Sequence, residues 1–188
     1  MTPRSASRRA PRPLNEGSLQ ELALRYVGRF ATSRAKLRTY LQRKIRERGW
    51  DGGREPDLAA LADRFAEIGY VDDAAFALGK ARSLSGRGFG KRRLVEQLRV
   101  AGIEEDHRAP ACDHADEQAV AAALRFAEKR RIGPFADAAP DRPGREKWIG
   151  AMIRAGHPFS LARTIASLAP GSPVDAGALS EELGGTLI

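Results

Sequence analysis

The segment Ser85-Gly86-Arg87-Gly88-Phe89-Gly90-Lys91-Arg92 carries the residue types from which phosphate-binding loops are built. Glycines let backbone N–H groups approach an anion, and a lysine can reach it. Three departures exclude a nucleoside-triphosphate loop. Ser85 stands where the first glycine belongs, Arg92 stands where Ser or Thr would hold magnesium, and no strand-forming run precedes the segment. What remains is a flexible linker between two helices, rich in backbone donors and flanked by Arg82, Arg87, Lys91, Arg92 and Arg93. Such a loop suits a phosphate backbone or an acidic protein surface.

Other chemistry-bearing residues lead to plainer roles. His107, Cys112 and His114 are close in sequence, but no second pair of ligands stands at a recurrent zinc spacing. Asp72 and Asp73 precede a helical stripe and read as helix caps. Trp50, Trp148, Phe65 and Phe76 occupy apolar helical positions, which favours core packing over base stacking. No serine–histidine–acid set or paired carboxylate can be assembled. The sequence therefore predicts a protein that is not an enzyme, with no cofactor and no metal. Its single cysteine, Cys112, can form no internal disulfide, in keeping with a reducing, cytoplasmic setting.

The elements that position these residues recur. Leu41, Ile45, Gly49 and Trp50 match Leu94, Leu98, Gly102 and Ile103, and again Trp148, Met152, Gly156 and His157. Two apolar residues four apart lie on one helix face, and a glycine four further on can stop the helix in the left-handed conformation. In such a cap the next residue folds back, pairing Trp50 with Ile45, Ile103 with Leu98 and His157 with Met152. Phe65, Gly69 and Tyr70 repeat the cap. Unit beginnings match at Ala23-Leu24, Ala77-Leu78 and Ala123-Leu124. An internal repeat of about fifty residues follows.

Composition agrees with helices, with 32 Ala and 18 Leu against 6 Val and 5 Thr. The fold class predicted is all-α: three tandem three-helix repeats stacked into an elongated, curved, solenoid-like array, acting as a monomer. Each unit should open on a helix near its Ala-Leu pair, continue through a basic helix to the glycine cap, and close on a more acidic helix such as that of Leu58, Leu61, Phe65 and Ile68. The repeats are placed at 18–69, 70–118 and 119–168. Residues 1–17, with four arginines among the first fourteen, form a flexible basic arm, and 169–188, with Pro170 and Pro173, a flexible tail. No apolar run reaches the roughly 18 residues of a membrane span, and the N-terminus lacks a secretory core.

Net charge is +8, and its sign alternates along the chain. Residues 18–50 carry +7, 51–78 −5, 79–103 +6, 104–118 −5 and 119–157 +4. The basic segments nominate partner or DNA contacts: Arg34, Lys36 and Arg38 in the first unit; Arg82, Arg87, Lys91, Arg92, Arg93 and Arg99 in the second; Lys129, Arg130 and Arg131 in the third.

Residues 61–77, Leu-Ala-Asp-Arg-Phe-Ala-Glu-Ile-Gly-Tyr-Val-Asp-Asp-Ala-Ala-Phe-Ala, resemble the glycine-aromatic, double-aspartate, Phe-Ala signature of the RecX family. The resemblance continues through Arg82-Ser83, the glycine-rich loop, Arg93-Leu94 and Ala101-Gly102-Ile103. Ser33-Arg34 with Leu37, Leu41 and Gly49 is similar to the family's first unit; Gly133-Pro134-Phe135, Arg145-Glu146-Lys147 and Met152 to His157 look like a third. It spans roughly residues 20–168. The resemblance implies a regulator lying in the groove of the RecA–single-stranded DNA filament and modulating, in the inhibiting sense, its recombinase, ATPase and coprotease activities. The alternative reading is direct, largely nonspecific DNA binding, duplex included, by helix-turn-helix-like units. Base readout would need an Asn/Gln mixture that the basic helices lack.

Overall fold

The computed structural model describes residues 12–184, and over these the chain is all-α, as predicted, with a single isolated β-bridge between Leu14 and Trp50. It divides into two compact units between Asp72 and Asp73. The first holds α1 (Glu16–Val27), α2 (Arg34–Arg48) and α3 (Leu58–Glu67). The second holds α4 (Asp73–Gly86), α5 (Lys91–Val100), α6 (Ala109–Glu117), α7 (Ala119–Arg130), α8 (Arg142–Arg154), α9 (Phe159–Ser167) and α10 (Ala176–Gly184). Short 3₁₀ turns at Glu105–His107 and Gly133–Phe135 join helices of the second unit.

Side-chain caps start the helices of the first unit. The Asn15 carboxamide accepts from Ser18 N–H at 3.0 Å while Asn15 N–H donates to the Ser18 hydroxyl at 2.9 Å, a reciprocal capping box. Ser33 accepts from Lys36 N–H, and Asp57 from Ala59 and Ala60 N–H. The three helices close on Leu19, Ala23, Leu37, Leu41 and Phe65, with Leu14 fully buried among them. Leu14 corrects the expected flexible arm. Residues 1–11 of that arm lie outside the described residues, but at its inner end Leu14 N–H donates to Gly49 carbonyl at 2.9 Å, and Leu14 carbonyl accepts from Asp51 N–H at 2.7 Å.

The second unit contains two apolar clusters. One gathers Ala77, Leu84, Leu94, Leu98, Ile103 and Ala111 from α4 to α6; the other gathers Ala123, Ile132, Met152, Leu161 and Ile165 from α7 to α9. Leu179 joins the latter at 6% exposure, so 169–188 is not simply a flexible tail: Asp175 accepts from Gly177 and Ala178 N–H and starts α10. Residues 185–188 lie outside the described residues. The matched Ala-Leu pairs fall inside α1, α4 and α7 rather than at their starts. Ala23, Ala77 and Ala123 are each fully buried, where a small side chain lets neighbouring helices approach closely. The acidic third helix is not general, since α9 carries Arg163 and no carboxylate.

Three of the four expected glycine caps form. Ile103 N–H donates to Leu98 carbonyl and Gly102 N–H to Arg99 carbonyl; His157 to Met152 and Gly156 to Ile153 repeat the pattern, as do Tyr70 to Phe65 and Gly69 to Ala66. Gly102, Gly156 and Gly69 take φ of 68°, 99° and 81°. These paired bonds satisfy carbonyls that the helix end would leave open. Gly49 differs. Its φ of 83° is combined with ψ of 167°, which extends the chain toward the Leu14 bridge instead of folding it back.

Candidate functional site

The glycine-rich loop is not the flexible donor-rich linker expected. Arg87 and Phe89 N–H donate to Leu84 carbonyl, Gly88 N–H to Ser85 carbonyl, and Gly90 N–H to Ala155 carbonyl at 3.0 Å, so these donors serve the fold. Gly88 and Gly90 are buried. A Cβ on Gly90 would stand 2.3 Å from the Gly156 carbonyl oxygen, and one on Gly88 would stand 2.9 Å from Phe126 N. The glycines permit close backbone packing, not ligand access.

That packing creates the basic site. Arg92 N–H donates to Gly156 carbonyl at 3.2 Å, which with the Gly90 bond sets the N-terminus of α5 on the C-terminus of α8. The positive end of one helix dipole meets the negative end of the other. Beside this junction lies an open groove of 630 Å³. Lys91, Arg92, Arg93, Arg99 and Arg154 line it with one carboxylate, Glu96, while Ile153 and the exposed Val100 add apolar surface. Lys91 pairs with Asp116, and Arg93 with Glu96 at 3.0 Å. Arg92, Arg99 and Arg154 are exposed and have no ion pair among the described residues. The arrangement is a cationic trough with capacity for anions, and it includes Arg154, which charge counting did not nominate.

The remaining nominated cations are dispersed or occupied. Arg34 pairs with Asp63 at 3.4 Å, Lys36 is also engaged, and Arg38 is exposed on α2. Arg82 is exposed on α4, and Arg87 covers the Phe89 ring at 5.2 Å. Lys129 donates to Arg87 carbonyl at 3.2 Å, and Arg125, also not nominated, to Ser85 carbonyl at 3.4 Å. Both complete the end of α4. Arg130 lies over Phe126, and Arg131 pairs with Asp137 at 2.8 Å.

One buried polar side chain secures the junction. His157 is fully buried; its Nε2 lies 3.1 Å from Gly88 carbonyl and its ring stands 5.7 Å from Phe126. A carbonyl can only accept, so Nε2 carries the proton and Nδ1 is the bare nitrogen, which has no hydrogen-bond partner among the described residues. Burial holds the imidazole below its ordinary pKa, opposed by the Gly88 carbonyl bond.

No family model matches the chain. It is 32% identical over 170 residues to regulatory protein RecX of Mycobacterium sp. (strain JLS), a match covering 87% of this chain and 90% of that one. With regulatory protein RecX of Myxococcus xanthus (strain DK1622) it shares 29% over 163 residues, covering 82% and 87%. The fold is similar to the crystal structure of RecX from Lactobacillus salivarius, with TM-score 0.57 and 16% identity over 79% of this chain and 92% of that one. A second crystal structure, of regulatory protein RecX, gives TM-score 0.56 at 18% identity over 79% and 72%.

Proposed function

The chain belongs to the RecX family, and we propose on that premise that it is a non-enzymatic, cytoplasmic regulator that binds the RecA–single-stranded DNA filament and restrains its recombinase, ATPase and coprotease activities. The observation that carries this reading is the α5–α8 groove, where five cations meet one carboxylate and three of the five have no ion pair among the described residues. Arg92 stands in the first turn of α5, where the helix end is already matched by the C-terminus of α8 through backbone bonds, so the fold does not call for a cation there. The fold gains little from that placement; a phosphate partner would. In this reading Arg92, Arg99 and Arg154 neutralise phosphates, while Val100, 87% exposed, meets an apolar partner surface.

Titration into a reaction of RecA, ATP and single-stranded DNA tests it, with duplex DNA alone as control. The parent should slow ATP hydrolysis, and filament binding should weaken with salt at a log–log slope near −2 for about three phosphate contacts. The variant Arg92→Glu/Arg99→Glu/Arg154→Glu leaves both ion pairs of the groove intact. It should lose restraint and most of the slope. Parental restraint and slope in that variant would remove the groove from the contact surface, and equal binding to duplex DNA with no effect on the filament would favour direct DNA binding instead.

A further inference from the structure

Phe30 differs from the other exposed apolar side chains in its company. It follows α1, in the loop before α2, and is 53% exposed. Its ring centroid lies 5.4 Å from that of Tyr26, and Tyr26 in turn stacks on Tyr40 of α2 at 4.1 Å with the rings 13° apart. The two tyrosines are half-buried and pack against the first unit's core, which accounts for them as structure. Phe30 is backed by Tyr26, and through it by Tyr40, and keeps much of its surface in water.

Cations surround the aromatic group. The Arg29 guanidinium lies over the Phe30 ring, 5.8 Å from its centroid, and Arg43 and Lys44 lie over the Tyr40 ring at 5.8 and 5.9 Å. Arg43 and Lys44 share a single carboxylate, Glu47, and Arg29 makes no ion pair among the described residues. Local charge is therefore positive around a half-exposed aromatic ring, whose cover on one side is the long, displaceable Arg29 side chain. Nucleobases offer π-faces, and the phosphates that link them are anions, so a single strand complements both properties of this surface. A duplex keeps its base faces stacked inside, and an acidic peptide would satisfy the cations without using the ring.

We propose that Phe30, supported by Tyr26 and Tyr40 and flanked by Arg29, Arg43 and Lys44, is a base-stacking site for single-stranded DNA. The inference rests on the reading that the chain engages single-stranded DNA and adds a contact on the first unit to the α5–α8 groove of the second.

The full-length chain is titrated with a fluorescent oligo-dT and with an abasic oligomer of equal length, which keeps the phosphates and lacks the bases. The parent should prefer oligo-dT by about fivefold to a hundredfold, the range expected for one stacked base. Phe30→Leu keeps an apolar contact for Tyr26 but has no π-face; it should lose that preference with an unchanged salt slope and thermal midpoint. Phe30→Trp should retain it. A parent that binds both oligomers alike, or a Phe30→Leu variant with the parental preference, overturns the proposal. So does loss of filament restraint by Phe30→Leu with the oligomer preference intact, which would assign the face to a protein partner. The groove variant Arg92→Glu/Arg99→Glu/Arg154→Glu should weaken both oligomers and leave their ratio unchanged. Its failure to weaken them would count against the groove without touching the stacking site.

Discussion

Two runs of three consecutive cations, Lys91-Arg92-Arg93 and Lys129-Arg130-Arg131, have the same composition and opposite positions on their helices. The first opens α5; the second closes α7. A helix end carries partial charge, positive at the N-terminus and negative at the C-terminus, so cations are favoured at the end of α7, whereas at the start of α5 the helix's own dipole disfavours them and the C-terminus of α8 already meets it through backbone bonds. The second run is spent accordingly, with Lys129 on the Arg87 carbonyl of the glycine-rich loop, Arg130 on an aromatic face and Arg131 in an ion pair. In the first run Lys91 and Arg93 find carboxylates, but Arg92 opens onto the groove with no ion pair among the described residues. A charge run thus acquires functional meaning from what the fold leaves unexplained.

The largest effect should come from breaking the junction that places the first run. A Cβ at Gly156 would stand 2.6 Å from Arg93 N and 2.9 Å from Gly90 carbonyl oxygen, at a φ of 99°. Strain and overpacking together predict that Gly156→Ala costs about 2–4 kcal/mol. Gly102→Val, strained at φ 68°, should cost about 1–3 kcal/mol. Thermal or urea unfolding measures both, and a Gly156→Ala protein as stable as its parent would show that the α5–α8 contact is loose. Next comes charge reversal. Arg92→Glu/Arg99→Glu/Arg154→Glu should weaken filament binding on the order of tenfold to a hundredfold, whereas Lys129→Glu/Arg130→Glu/Arg131→Glu should leave it within about twofold and instead lower stability by about 1–2 kcal/mol. Exchanged outcomes would invert the comparison.

A third effect is set by pH. The folded state holds His157 below its ordinary pKa, chiefly through burial, so folding favours the neutral ring. Protonating Nδ1 would add a buried donor with no acceptor. Its contribution to stability is full above the unfolded value of about 6.5 and is lost as pH falls through the lower folded pKa. Between about pH 7 and about pH 5 the parent should lose more thermal stability than His157→Gln, whose amide can still donate to Gly88 carbonyl. Parallel profiles would show that His157 does not couple the junction to pH.

Fold class and the caps at Gly69, Gly102 and Gly156 were legible because the interaction they encode is local: a helix stripe, a left-handed glycine and an apolar residue beside it. Gly49 fits the same pattern and escapes it because Leu14, distant in sequence, captures the chain by backbone pairing. Gly88 and Gly90 read as flexibility, since nothing in the loop itself announces that α7 and the end of α8 press against it. Arg154 was invisible for the same reason: it belongs to the groove only through the α5–α8 junction. The Phe30 group was missed because Tyr26, Phe30 and Tyr40 come from two helices and a loop. α10 was hidden by the prolines before it.

The smallest effect tests the second run from the side of the fold. Arg131 is the only non-glycine at positive φ among the described residues, with φ 53° and ψ 54°. The capping bonds around it, Ile132 N–H to Ala127 carbonyl and Arg131 N–H to Glu128 carbonyl, are those made at Gly102 and Gly156, so Arg131 occupies a glycine's position. A side chain there costs about 1–2 kcal/mol in the left-handed region. The exposed Arg131–Asp137 pair returns at most about 1 kcal/mol. Arg131→Gly should therefore stabilise the protein, by about 0.5–1 kcal/mol, and leave filament restraint unchanged. A loss of stability would mean that the ion pair outweighs backbone strain. A loss of restraint would mean that the run closing α7 binds the filament after all, and that its favourable position on the helix dipole had concealed a contact.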